Sequence, residues 1–301
     1  MAAGGAASPP AEAMRRGVGR GVFVATVVLV AIIALAAGLY VGKDVLGSSS
    51  SSSASHFLVV GTNVPFPPFE TYNNTTGTYV GFDMNFSQLI ANALGRQLVI
   101  DNYANFAVLL ADVGAGIVDM AASAITESGP VGAARNASMS FSIPYYDANQ
   151  AILVRTGYPI SCPTVAAGGC TVADLSSLSI GVQTGTSSQA WCAQYLDNSS
   201  HSNETNGGAV YAYTTVDLEI DALLAKTLDA VMIDLGPATS IAAGSSGALA
   251  VAGEVLTHEL YGFAVAHNDP EHILPVINSV ITQTMNNGTY AYLVKEWFGS
   301  A

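Results

Sequence analysis

Charge is scarce in this chain, so the residues that carry it stand out. Arg135 follows a Ser123-Ala-Ile-Thr126 stretch and precedes Phe141. Of the nine Lys and Arg, four (Arg15, Arg16, Arg20 and Lys43) lie near the N-terminus, which leaves five for the rest of the sequence. A guanidinium is a planar fork suited to bidentate pairing with a carboxylate; the plain alternative is a solvated surface Arg. Gly185-Thr186-Ser187 separates an apolar run from a helical stretch. Backbone N–H groups at a helix start attract an anion, although Ser or Thr there also serves as an ordinary cap. Asp234 ends the apolar run Ala230-Val-Met-Ile233, and a carboxylate at the mouth of a buried strand needs a partner. Together these are a cation, a set of donors and an anion.

Signatures of catalysis and of metal binding are missing from the sequence. It has no Walker loop, no G-x-S-x-G and no His-Glu-x-x-His, and its five His are scattered. No catalytic residue, metal or cofactor is expected. A formal charge of −13 argues against nucleic acid or anionic lipid as a partner of the main body. Charged residues are 10% of the chain, against about 25% on average. A body with so few basic residues suits an acidic exterior, provided that Asp234 stays ionised; nearby Arg135 is expected to lower its pKa.

The elements that must position these groups alternate. Phe57 to Gly61 reads as a buried strand stopped by Gly. Residues 82–94 space their apolar positions as an amphipathic helix, with Gly95 to end it. Leu98 to Ile100 is a second strand, Phe106 to Ala115 a helix and Val118 to Ala122 a third strand. The alternation resumes with a strand at Ser179 to Gln183 and a helix at Ser187 to Leu196. A helix at Val216 to Ala225, a strand at Ala230 to Ile233 and a mostly helical tail from Pro270 to Phe298 follow. Such alternation indicates an α/β body with a largely parallel sheet. The polar stretch from Asn198 to Gly208 reads as a surface loop.

The N-terminus differs in kind. Residues 21–42 contain no charge and, as a helix, span roughly 33 Å, enough for the hydrocarbon core. Arg15, Arg16 and Arg20 before this run place residues 1–20 in the cytoplasm and the rest outside. Cleavage as a signal peptide near Ala34-Leu-Ala36 is the alternative. A Ser-rich linker, 43–55, leads into the body. Sequons begin at Asn73, Asn74, Asn85, Asn136, Asn198, Asn203 and Asn287. Cys162 and Cys170 bracket a short Pro/Gly loop and are expected to be bridged, which suits an oxidising exterior. Cys192 stands alone.

Short motifs follow in a fixed order. Gly61-Thr-Asn-Val-Pro-Phe-Pro-Pro-Phe-Glu70 is succeeded by Gly81-Phe-Asp83, Phe106, Asp119 and Ser123-Ala-Ile-Thr126. Then come Arg135, Phe141-Ser-Ile-Pro-Tyr-Tyr146, Gly181-Val-Gln-Thr-Gly-Thr-Ser187 and Asp229 to Asp234. Tyr261-Gly-Phe-Ala-Val, Asp269-Pro, Asn287-Gly-Thr-Tyr290 and Lys295-Glu-Trp-Phe-Gly299 close the series. Over residues 57 to 299 this order resembles family 3 of the extracellular solute-binding proteins, the polar amino-acid binders of ABC importers. The resemblance implies a two-lobe, type II periplasmic-binding-protein (Venus-flytrap) fold. Lobe 1 would comprise 56–154 with 260–301, and lobe 2 would be 155–259. The crossings would lie near Val154-Arg155 and Glu259-Tyr261, with the ligand at the carboxyl ends of the strands.

The resemblance also implies roles. Arg135 would take the ligand carboxylate, with Gly185, Thr186 and Ser187 beside it, and Asp234 would take the ammonium. Phe66 and Phe106 would flank the ligand side chain, and Ser123, Ala124 and Thr126 would line the site. The family often carries Asp where this chain has Asn63; with Gln183 nearby, a neutral polar ligand such as glutamine is favoured. The stretch from Thr126 to Arg135 is longer than the family's spacing, so the local loop must differ. The implied partners are an amino acid and the permease subunits, for a monomer held to the membrane by its N-terminal helix. The competing readings are an amino-acid dehydratase, with Glu70 or Glu127 as general acid, and a ligand-sensing ectodomain.

Overall fold

The computed structural model describes residues 56–160, 162–196 and 209–299. The expected cytoplasmic tail, membrane span and Ser-rich linker lie outside these residues, as do the Asn198–Gly208 loop and its two sequons. Among the described residues no helix is long and apolar enough to cross a membrane.

The first sheet has the order β4-β1-β5-β12-β6. Its strands are β1 (Phe57–Thr62), β4 (Gln97–Asn102), β5 (Met120–Ala121), β6 (Met139–Phe141) and β12 (Ala264–Ala266). β1 runs parallel to β4 and β5, whereas β12 is antiparallel to β5 and β6. A small hairpin, β2 (Thr71–Asn73) with β3 (Thr78–Val80), leads into helix α1 (Phe82–Leu94). In α1 the i, i+4, i+8 residues Phe82, Phe86 and Ile90 are fully buried. Gly95 ends the helix in the left-handed conformation, φ 65°, which glycine adopts without a Cβ clash. Helix α2 (Phe106–Gly114) starts where the Asn105 side chain accepts from the Ala107 and Val108 N–H groups. α3 (Gly129–Arg135) follows β5, and α8 (Leu274–Asn286) and α9 (Thr289–Phe298) form the tail.

The second sheet has the order β11-β7-β10-β8-β9. Its strands are β7 (Tyr146–Arg155), β8 (Ile180–Gln183), β9 (Val210–Tyr213), β10 (Ala230–Asp234) and β11 (Leu249–Tyr261). Helices α4 (Val172–Leu175), α5 (Ser187–Tyr195), α6 (Val216–Leu224) and α7 (Leu235–Gly244) belong to this half. β10, β8 and β9 are parallel; β7 and β11 run antiparallel on the other side. The expectation of a largely parallel sheet is thus corrected to two mixed sheets. Strands joined by helices pair in parallel, but the chain must also pass between the sheets and back, and those passing strands pair antiparallel.

The two passages run side by side. Phe141 pairs with Ala264 in the first sheet. The Ser142 N–H donates to Phe263 O at 2.9 Å, and the Tyr145 N–H donates to Tyr261 O at 2.9 Å. From Tyr146 onward the pair belongs to the second sheet. Val154 and Arg155, expected at the outgoing crossing, pair with Ala250 and Leu249 at the far end of β7. The chain leaves the first sheet nearer Tyr145-Tyr146, because one unbroken apolar strand gives no sign of where it enters the second sheet. Aromatic rings pack this junction: Tyr146 stacks on Tyr261 at 5.7 Å, and Phe69 meets both edge-on.

Cys162 and Cys170 are bridged, as expected. The bridge lies on β11 at Gly253, where a Cβ would come 2.5 Å from Cys162 Cβ. The Cys170 N–H donates to Glu254 O at 2.6 Å, beside a register shift between Val251 and Gly253. Cys192 is buried and free, and burial pushes its thiol up to about 12.

Candidate functional site

The parallel strands of both sheets deliver their carboxyl ends to the same place. Asn63 and Phe66 follow β1, and Ser123, Ala124 and Thr126 follow β5. Gln183 ends β8, Thr186 caps α5, Ser187 is its first residue, and Asp234 ends β10. Phe106 opens α2 and Arg135 closes α3. Except for Gly185, all the expected residues line one cavity of about 20 Å³ between the two sheets. That is room for about one water molecule, so entry of an amino acid requires the halves to part.

Groups from the two halves satisfy each other across this cavity. Gln183 Nε2 donates to Asn63 Oδ1 at 2.8 Å. Arg135 Nη2 donates to Gly185 O at 3.0 Å, and Nη1 donates to Thr126 O at 2.8 Å. Gly185 has φ +85°, and a Cβ there would stand 3.0 Å from Ala107 Cβ, so closure requires glycine at this point. Arg135 is 8% exposed, with its guanidinium carbon 5.6 Å from the centre of the Phe106 ring. The additional residues before Arg135 form α3. Its Gly132 lies so close to the Glu127 backbone that a side chain would collide with it. Ala124 has φ 46°, an unusual conformation for a non-glycine residue, and its N–H donates to Asp83 Oδ2 at 2.9 Å.

A wider cleft of about 1000 Å³ adjoins the chamber and shares Thr126, Arg135, Thr186 and Ser187 with it. Apolar side chains, including Leu110, Met139, Trp191 and Leu256, line much of the remainder.

Further buried polar groups surround the chamber. Gln150, on β7, is fully buried; its Nε2 donates to Asp234 Oδ1 at 2.9 Å and to Glu259 Oε1 at 3.0 Å. Ser188 Oγ donates to Gln150 Oε1 at 2.7 Å. The Tyr261 hydroxyl donates to Asp234 Oδ1. Glu70 accepts from Ser123 Oγ at 2.7 Å, and Asp83 accepts from the Tyr145 hydroxyl at 2.8 Å. Glu70 and Asp83 belong to the quoted motifs, so the sequence marked them without revealing their surroundings. Gln150 carried no such signal.

The electrostatics correct one expectation. Asp234 is raised to about 7, not lowered, first by burial and then by the Glu259 charge. The Arg135 guanidinium, whose two hydrogen bonds go to carbonyl oxygens, attracts Asp234 too weakly to outweigh this. Burial also brings Arg135 down to about 10, against the pull of Glu259 and Asp234, which leaves it cationic at neutral pH. Asp83 is raised to about 7, and Glu70 well above the usual carboxylate range, in both cases chiefly by burial. A cation, donors at a helix start and a buried carboxylate facing one chamber can hold a small zwitterion.

Known proteins share this architecture. The L-cystine-binding protein TcyJ of Escherichia coli (strain K12) is 25% identical over 243 residues, covering 81% of this chain and 83% of that protein. The crystal structure of a mutant of ArgBP from T. maritima superposes with TM-score 0.69 at 29% identity, over 81% of this chain and 96% of that one. An ancestral arginine-binding protein bound to glutamine superposes with TM-score 0.68 at 26% identity, over 81% and 99%. Residues 58–300 match the bacterial extracellular solute-binding proteins, family 3, and it is to this family that the chain belongs.

Proposed function

We propose that this protein captures a polar amino acid between its lobes and presents it to the permease subunits of an ABC importer. The observation that carries the reading is the convergence of Arg135, the start of α5 and Asp234 on one interlobe chamber. The ligand carboxylate would meet Arg135 and the N–H groups at the α5 start, and its ammonium would meet Asp234. Phe66 and Phe106 would flank the side chain. Asn63 and Gln183 are uncharged and favour a neutral polar side chain such as that of glutamine. An ancestral arginine-binding protein is bound to glutamine in one solved structure, and an ancestral arginine-binding protein is bound to arginine in another.

In this reading the paired crossings, near Tyr145-Tyr146 and Tyr261, act as the hinge between the lobe built on the first sheet and the lobe built on the second. Residues 21–42 anchor the monomer with the binding body outside. Glycans would sit on exposed sequons such as Asn74, Asn136 and Asn287. Asn85 suits one less, since its side chain accepts from Trp297 Nε1 at 2.7 Å. The test is a thermal-shift screen against the common amino acids, followed by calorimetry. A ligand at 100 times its Kd adds about 2.7 kcal/mol of stability. Silence across the whole panel refutes the reading. An intact mass beginning near residue 37 refutes the anchor alone.

A further inference from the structure

Glu259 lies on the returning crossing, 7% exposed, and the reading above gives it no task. It does not line the inner chamber. Its Oε1 accepts from Gln150 Nε2 at 3.0 Å, and its Oε2 accepts from Thr126 Oγ1 at 2.7 Å. A carboxylate has no hydrogen to give, and a hydroxyl has only one. Thr126 therefore spends its single hydrogen on Glu259, away from the chamber that the residue lines. What Thr126 presents inward is lone pairs. Ser187 Oγ, 3.3 Å from Thr126 Oγ1, competes for that hydrogen only weakly beside the 2.7 Å bond to Glu259. Asp234, joined to the same network through Gln150, is a second acceptor. An ammonium has three hydrogens to donate and accepts none, so a wall of acceptors matches it.

We propose that Glu259 is a positioning residue for ligand recognition: by holding the Thr126 hydrogen it makes that hydroxyl an acceptor toward the ligand ammonium. The inference rests on the amino-acid reading and deepens it. It explains how the site separates an amino acid from the matching 2-oxo acid, whose carbonyl oxygen offers an acceptor where the wall already holds acceptors. Gln150 secures the arrangement, since two carboxylates on one side of its amide require the NH₂ group there.

Glu259→Gln keeps the shape and reverses the polarity. The Gln150 NH₂ draws the new carbonyl oxygen to itself, which turns the new NH₂ toward Thr126 and frees the hydroxyl hydrogen to face the chamber. The test is a double-mutant cycle with Thr126→Val in the full chain, read as Kd for L-glutamine and L-arginine by calorimetry. Glu259→Gln should weaken binding at least tenfold when Thr126 is present and less than threefold in the Thr126→Val background. An equal loss in both backgrounds overturns the proposal, because a through-space charge effect or general loosening does not depend on the hydroxyl. Glu259→Asp, which withdraws the carboxylate by one methylene, repeats the cycle if the Gln variant does not fold. Silence across the whole amino-acid panel defeats the amino-acid reading and this inference with it; where another amino acid binds, the cycle is read with that ligand.

Discussion

Stability should rise as the medium turns acidic, and Asp83 is the residue through which to test this. It is fully buried in the first turn of α1, where its Oδ2 accepts from the Ala124 N–H and the Tyr145 hydroxyl. Those two bonds favour the carboxylate, but burial outweighs them and raises the group from 3.8 to about 7. A carboxyl raised on folding binds more protons folded than unfolded between those two values. Its stabilising contribution is fully present below about pH 4 and is lost as pH climbs through about 7. The linkage relation gives about 2 kcal/mol more stability at pH 5 than at pH 7 from Asp83 alone. Asp234, with the same shift, adds a similar amount. Asp83→Asn resembles the protonated acid: the amide oxygen takes the two donors, and the NH₂ occupies the position of Oδ1, which has no partner. The variant should lose about 2 kcal/mol of the difference between pH 5 and pH 7 and surpass wild type above pH 7. Urea unfolding of the purified protein from pH 4.5 to 8 measures both quantities. Wild-type stability that climbs with pH across this range, or an Asn variant with an unchanged slope, refutes the reasoning.

Arg135→Ala should weaken amino-acid binding by roughly 2–5 kcal/mol, because it leaves the ligand carboxylate without its cation; calorimetry showing unchanged affinity removes Arg135 from the site. Gly185→Val should resist closure, since φ +85° strains a β-branched residue and its Cβ meets Ala107 at 3.0 Å. Its expected signature is weaker binding together with a larger radius of gyration at saturating ligand in small-angle scattering. Replacing Cys162 and Cys170 with Ser should cost about 2–3 kcal/mol, the chain-entropy value for so short a loop. Peptide mapping without reductant that recovers both thiols free contradicts the bridge.

Local chemistry determined much of this protein. The period of α1, its glycine stop, the Asn105 cap and the buried runs of β1, β8 and β10 follow from near-neighbour preferences that a sequence displays directly. The ordered motifs announced the residues that line the chamber, because strand ends are where such motifs fall in an α/β chain. The tertiary structure decided what depends on distant partners. Where β7 leaves one sheet for the other is set by its pairing with β11, about a hundred residues away, and an unbroken apolar strand does not signal it. The same holds for charge. Reading Arg135 and Asp234 as neighbours suggested a lowered carboxyl pKa, yet folding turned the guanidinium toward carbonyl oxygens and placed Glu259 nearby. Spacing can place charged residues near one site. Burial and the direction of each hydrogen bond fix their protonation, and both exist only once the chain has folded.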